Sequence, residues 1–144
     1  MMNTKTLITA GILTIALNTT SAMAQDDALL EAMQDYLMFA DYNSGVISPQ
    51  QIDQSVFEAA AFIDTRDAAQ YAESTIPGAT NIEWRSVIDR LDEIPDDQMT
   101  ILFCNTGSLS AQATFALRLA GRSNVLVLQG GKQNWDDNAT WKPE

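Results

Sequence analysis

The sequence has no histidine, a single cysteine and only eight basic residues, and each shortage excludes a class of function. Without histidine there is no Cys-His or Ser-His dyad to activate a nucleophile. The usual zinc ligand sets are absent as well, so we expect no metal and no other cofactor. The basic residues are scattered through a chain of net charge −11. We therefore expect no nucleic-acid partner, whereas a basic partner protein would suit this surface.

Long hydrophobic runs are also missing, since the apolar run Leu7–Leu17 is shorter than the roughly 20 residues that span a bilayer. Its length matches a signal-peptide core, Lys5 precedes it, and the small residues of Ala22-Met23-Ala24 follow it. We expect residues 1–24 to be a signal peptide cleaved after Ala24, which makes the mature protein periplasmic and without a membrane span. An uncleaved anchor is the alternative, and N-terminal sequencing of exported protein distinguishes the two.

The lone cysteine, Cys104, cannot form a disulfide within the chain, which is the commonest structural role of a cysteine in an exported protein. A buried bystander, an intermolecular bridge and a reactive thiol remain open. Cys104 follows the apolar run Thr100–Phe103, which is typical of a buried strand, and precedes a Gly-containing polar loop and an amphipathic helix ending at Gly121. Such a loop is poor core material, which favours the reactive thiol.

An arrangement of strand, cysteine, short loop and helix can activate a thiol without a base. The loop's N–H groups and the positive end of the helix dipole would face the sulfur and favour its thiolate, the nucleophilic form. We therefore predict Cys104 as the catalytic nucleophile. The predicted anion-binding loop consists of Asn105, Thr106, Gly107, Ser108, Leu109 and Ser110.

Five short apolar segments predict strands: Val46–Ile47, Ala61–Asp64, Thr80–Ile82, Thr100–Phe103 and Asn124–Leu128. Helical patterns alternate with them, one beginning at Ser48-Pro49 and another over Trp84–Leu91. This alternation predicts an α/β fold with a mainly parallel five-stranded sheet flanked by helices. We assign residues 25–45 to an N-terminal helical arm, 46–139 to the α/β domain and 140–144 to a tail.

Asp64 and Cys104 both end predicted strands, so a parallel sheet brings them to the same edge, where ligands bind. We expect Asp64 to accept hydrogen bonds that order the nearby loops. Arg66 and Lys132 are the nearest candidates for a supporting positive charge, although Arg66 could instead pair with Asp64 or Asp67.

Four motifs in order connect this chain to a known family. They are Phe62–Arg66 with its D-x-R pattern, Tyr71 followed by Ile76–Asn81, Cys104 with its loop, and Gly130-Gly131 with Trp135. Together they resemble the rhodanese-like sulfurtransferases from about Val46 to Trp135, and the chain is similar to a small single-domain periplasmic member. The resemblance implies a rhodanese fold.

The resemblance also implies a chemistry. A cysteine thiolate attacks the outer sulfur of a donor such as thiosulfate or a persulfide, and a Cys104 persulfide forms. A thiol or cyanide then accepts the sulfur. The family's six-residue loop corresponds to Cys104–Leu109, with N–H groups that hold the sulfur anion, and Asp64 and Arg66 are expected to support it.

The chain departs from related proteins in three places. Phosphatases of related fold have a C-x5-R loop with a phosphate-clamping arginine, and the corresponding position here is Ser110, so phosphate-ester hydrolysis is not expected. Many thiosulfate-active relatives have a cation in the loop, which is neutral here. We therefore predict a thiolate less activated than theirs and weak use of thiosulfate, with a persulfide or protein-bound sulfur as donor. The family's usual histidine before Ile76 is Thr75, a position we expect to be structural.

Two other functions remain open at this point. One is a non-catalytic module that docks a basic partner, and the other is a redox sensor in which Cys104 is oxidised to a sulfenic acid. Mass spectrometry of wild type and Cys104→Ser after incubation with sulfur donors separates the enzyme from the module.

Overall fold

The computed structural model describes residues 27–143, so the predicted signal peptide and its cleavage after Ala24 lie outside the described residues. Helix α1 covers residues 27–39, within the predicted helical arm, and belongs to a different compact unit from residues 41–143. No helix among the described residues is long and apolar enough to cross a bilayer.

The second unit is built on a five-stranded sheet. Its strands are β1 (Val46–Ile47), β2 (Ala61–Asp64), β3 (Thr80–Asn81), β4 (Thr100–Phe103) and β5 (Val125–Leu128). They lie in the order β1-β5-β4-β2-β3, and every neighbouring pair is parallel. The predicted α/β fold with a parallel five-stranded sheet is confirmed. β4 lies at the centre, and all four of its residues are buried.

Four α-helices follow the strands or connect them. They are α2 (Gln54–Ala59), α3 (Ala68–Glu73), α4 (Ser108–Leu119) and α5 (Gly131–Asn138), and single 3-10 turns cover Pro49–Gln51, Trp84–Ser86 and Leu91–Glu93. Two aspartates begin the shorter helices. Asp53 accepts a hydrogen bond from the Val56 N–H, and Asp67 accepts one from the Gln70 N–H.

One helix prediction is confirmed only at its start, and another was wrong. Ser48 is the N-cap and Pro49 the first residue of a helical segment as predicted, but this segment is a 3-10 turn that ends at Gln51, and α2 begins separately after its own cap, Asp53. The segment Trp84–Leu91 forms separate turns. Its apolar spacing does not mark one helix face, because the side chain of Ile88 is 49% exposed and the Trp84 N–H is bonded to the Thr65 carbonyl.

Alternating side chains of the strands build a core on each face of the sheet. Phe62 and Phe103 belong to one cluster, which α2 and α5 cover with Phe57 and Trp135. The Phe57 ring also packs against Trp141 of the tail, with ring centroids 5.1 Å apart.

The opposite cluster lies under α4. Ile63 of β2 and Leu102 of β4 pack there against Leu117 of the helix. Thr114 lies on the buried side of α4, whereas Leu109 is 38% exposed and lies in the wall of the cavity described next.

Candidate active site

Cys104 directly follows β4, so the central strand carries its thiol to the carboxyl edge of the sheet. The residue is only 2% exposed, yet it lies in the wall of a cavity of about 510 Å³. The other lining residues are Thr65, Arg66, Asp67, Gln70, Glu83, Trp84, Arg85, Asn105, Thr106, Leu109 and Gln133. The thiol therefore faces a space large enough for a small ligand.

The surroundings of the Cys104 thiol make it more acidic than an ordinary cysteine. Burial raises its pKa, but hydrogen bonds from the N–H groups of Ser110, Thr106 and Leu109 and from the Ser110 hydroxyl outweigh that effect and lower the pKa. The structure thus brings three loop N–H groups of the predicted anion-binding loop around one sulfur.

Local backbone geometry bends this loop. Gly107 has φ 92°, a left-handed conformation that favours glycine, and α4 begins at the next residue. The Ser110 Oγ lies 3.6 Å from the Cys104 Sγ and 3.1 Å from the Gly107 carbonyl oxygen, so its one proton serves one acceptor at a time. Thr106 and Ser108 face each other, with hydroxyl oxygens 3.3 Å apart.

The first turn of α5 holds the outer side of the loop. The Lys132 N–H donates to the Cys104 carbonyl at 2.8 Å, and the Gln133 N–H donates to the Asn105 carbonyl at 3.1 Å. A Cβ on Gly131 would overlap the Cys104 carbonyl oxygen and would come within 2.7 Å of the Asn105 carbonyl. Glycine at this position is therefore required by the close packing of α5 against the loop.

Asp64 and Arg66 form a buried, bidentate ion pair beside the site. The Nε and Nη2 atoms of Arg66 donate to the two oxygens of Asp64 at 2.9 and 2.6 Å, and the Thr75 hydroxyl donates to the same carboxylate at 2.8 Å. Asp64 is fully buried and Arg66 is 7% exposed. Hydrogen bonding to Asp64 raises the pKa of Arg66, so the guanidinium stays charged. Of the two pairings considered for Arg66, the structure has the one with Asp64.

Arg66 also contacts the loop, at the side chain of Asn105 and not at the Cys104 sulfur. Its Nη1 donates to the Asn105 Oδ1 at 3.2 Å, and the Asn105 amide donates in turn to Gln70 Oε1 at 2.6 Å. Lys132, the other candidate cation, pairs with Asp136 at 2.7 Å and is not among the cavity-lining residues.

Sequence reasoning missed one wall of the cavity, formed by Glu83, Trp84 and Arg85. These residues follow β3, which lies next to β2 at the edge of the sheet. Their place in the sequence could have indicated them, because residues that directly follow the parallel strand β3 lie at the same edge of the sheet as Cys104.

Comparison with known proteins decides the family. Residues 48–138 match the Rhodanese-like domain. The chain belongs to the rhodanese-like family. The Thiosulfate sulfurtransferase GlpE of Pseudomonas entomophila is 36% identical over 89 residues, which cover 62% of this chain and 82% of that protein. A Sulfurtransferase of Allochromatium vinosum is 33% identical over 78 residues, which cover 54% and 73% respectively.

Solved structures agree on the fold. A rhodanese-related protein from Thermoplasma volcanium superposes with a TM-score of 0.59 over 64% of this chain and 90% of its own, at 22% identity. The rhodanese-like sulfurtransferase assignment made from the four motifs is confirmed, and membership of the family supports sulfur transfer in general terms. Within residues 27–143 no cluster of three or more His, Cys, Asp or Glu side chains could hold a metal ion.

Proposed function

We propose that this protein is an exported single-domain sulfurtransferase that carries sulfane sulfur as a Cys104 persulfide. The donor is thiosulfate or a persulfide, and the acceptor is a thiol or cyanide. The observation that carries the proposal is a thiol with a lowered pKa, bonded by three loop N–H groups, in the wall of an accessible cavity.

The reaction needs no external base once the thiolate exists. The Cys104 Sγ attacks the outer sulfur of the donor, and the donor's S–S bond breaks. Sulfite or a thiolate leaves with the bonding electron pair, and the outer sulfur stays on Cys104. An acceptor thiolate or cyanide then attacks that sulfur and the Cys104 thiolate returns. The N–H groups of Thr106, Leu109 and Ser110 stabilise the anionic sulfur.

Asp64 and Arg66 have a positioning role in this proposal. Each already satisfies the other's charge inside the protein, and neither hydrogen-bonds to the Cys104 sulfur. Through Asn105, the pair holds the first loop residue in place. The enzyme therefore relies on main-chain donors rather than on a second catalytic side chain.

Charge argues for a persulfide over thiosulfate as the donor. The loop side chains are neutral, the charge of Arg66 is offset by Asp64, and Arg85 in the cavity wall pairs through its Nε with Glu83. The whole chain carries a charge of −11, which repels a dianion. We expect thiosulfate to react slowly and a less charged persulfide, small or protein-bound, to react faster.

The site of action proposed is the periplasm, after cleavage behind Ala24. The support is the sequence of the first 24 residues, with Lys5, the apolar run and the small residues at 22–24. Fractionation of the native host tests the periplasmic location, and N-terminal sequencing of the recovered protein tests the cleavage after Ala24. An intact Met1 in the recovered protein contradicts the cleavage.

Intact-protein mass spectrometry tests the activity. Purified protein is incubated with thiosulfate, cysteine persulfide or polysulfide, and we expect a gain of one sulfur atom that cyanide removes. Cys104→Ser should gain none. If wild type gains no sulfur from any donor, the proposal fails and a non-catalytic module replaces it. A reaction with peroxide much faster than that of an ordinary free thiol would favour the redox sensor instead.

A further inference from the structure

The cavity that Cys104 lines also has in its wall an arginine that the proposed reaction does not use. Arg85 lies in this wall next to Trp84 and Glu83. Its side chain is 73% exposed, whereas Arg66, the other arginine of the cavity, is buried in its ion pair.

The hydrogen bonding of Arg85 distinguishes it from the other four arginines of residues 27–143. Arg85 donates to Glu83 only through Nε, at 3.0 and 3.3 Å. The other four arginines have Nη atoms that contact protein oxygens. They are Arg66, Arg90, Arg118 and Arg122. Within the described part of the chain, the paired Nη groups of Arg85 alone have no protein partner.

Two neighbours limit the freedom of this guanidinium. Glu83 holds its Nε edge, and the Arg85 Cζ lies 5.9 Å from the centroid of the Trp84 ring, within the range of a cation–π contact. The remaining edge presents two parallel N–H donors, the geometry that recognises a carboxylate bidentately.

The size of the cavity leaves room for a donor larger than thiosulfate. A thiosulfate ion has five non-hydrogen atoms and displaces only a few waters, each of about 30 Å³ in the liquid. The cavity measures about 510 Å³. A cavity of this volume, lined by both Cys104 and Arg85, has room for an organic group attached to the reacting sulfur.

We propose that Arg85 is a specificity-determining residue that binds the carboxylate of an organic persulfide, such as the persulfide of an amino-acid thiol. This inference rests on the proposed sulfurtransferase function. In the step concerned, the Cys104 thiolate attacks the outer sulfur of R–S–SH and the S–S bond of the donor breaks. The outer sulfur stays on Cys104 as the persulfide, and R–S⁻ leaves with the bonding electron pair and takes up a proton. The carboxylate stays on R and is unchanged by the reaction.

The test compares two donors that differ only in a carboxylate, cysteine persulfide and cysteamine persulfide. The rate of Cys104 persulfidation is followed by mass spectrometry in wild type, Arg85→Gln and Arg90→Gln. We expect Arg85→Gln to lower the ratio of the two rate constants, cysteine over cysteamine, by about fivefold, the effect of a partly exposed charge pair. Arg90 has the same charge, pairs with Glu93 and is not a cavity-lining residue, so Arg90→Gln is the matched control.

Two results overturn this inference and leave sulfur transfer intact. One is a ratio of the rate constants for cysteine persulfide and cysteamine persulfide that is the same in Arg85→Gln as in wild type. The other is an equal loss with thiosulfate and cysteine persulfide, which would make Arg85 a general attractor of anions. If neither persulfide loads wild-type Cys104, the proposed function and this inference fail together.

Discussion

The hydroxyl of Ser110 lies 3.6 Å from the thiol of Cys104, at the loop position where related phosphatases have an arginine. Both side chains are buried. A serine here can donate to a sulfur anion, but it adds no charge and cannot clamp a phosphate. One residue thus both explains part of the acidity of the thiol and argues against phosphatase chemistry.

Replacing Ser110 by alanine should raise the pKa of Cys104. One of several donors to the sulfur is lost, and a single hydrogen bond contributes about 0.5–1.5 kcal/mol, so the rise should not exceed about one pKa unit. The pH dependence of iodoacetamide alkylation measures it. Ser108→Ala is the control, because the Ser108 hydroxyl contacts Thr106 rather than the sulfur. Equal profiles for the two variants would contradict the role given to Ser110.

Gly131→Ala should destabilise the protein and slow sulfur loading. The new Cβ would overlap main-chain atoms of Cys104 and Asn105, which cannot yield as a flexible side chain would. We expect a loss of about 1–3 kcal/mol in the free energy of unfolding from this overlap. Urea denaturation measures it.

Gly121→Ala provides the matched control for that overlap. Gly121 also has a left-handed backbone, with φ 91°, but nothing lies within 4 Å of its hypothetical Cβ. Both variants therefore share the conformational cost, and only Gly131→Ala adds the collision. If Gly121→Ala proves equally damaging, the close packing of α5 against the loop is not what requires Gly131.

Arg66→Met should cost far more stability than a change at an exposed arginine. It leaves the Asp64 carboxylate fully buried without its charge partner, a situation that costs about 3–5 kcal/mol. The double variant Asp64→Leu with Arg66→Met removes both charges and should recover much of the loss. Urea denaturation of the single and double variants gives the comparison. A double variant no more stable than Arg66→Met would mean that packing, not the stranded charge, causes the loss.

Much of the site could be predicted because its signals are local. The run Thr100–Phe103 has no polar alternation, and Gly107 and the polar residues around it mark a loop that a core cannot use. Strand, nucleophile, loop and helix are consecutive in the chain, so their order alone places Cys104 between the end of β4 and the loop that leads into α4.

What could not be predicted depends on contacts between distant segments. Arg66 and Asn105 are 39 residues apart, and only the pairing of β2 with β4 brings them within hydrogen-bonding distance. Arg85 was overlooked because the segment Trp84–Leu91 has the spacing of a helix. In the structure this segment forms separate 3-10 turns, and the Trp84 N–H is bonded to the carbonyl of Thr65, 19 residues earlier in the chain.

The final prediction concerns stability and pH. The pKa of Cys104 is lowered in the folded protein, so the unfolded chain holds the thiol proton at pH values where the folded chain has already lost it. Unfolding free energy should therefore rise with pH from the folded pKa up to the unfolded value of about 8.5, and this contribution should be lost as the pH falls through the folded pKa. The difference between wild type and Cys104→Ser isolates the effect, because the serine variant keeps every other titrating group. Urea denaturation at a series of pH values measures that difference. A difference that stays constant, or that shrinks as the pH rises, would show that the folded protein does not favour the thiolate, and the main-chain activation proposed for Cys104 would fail with it.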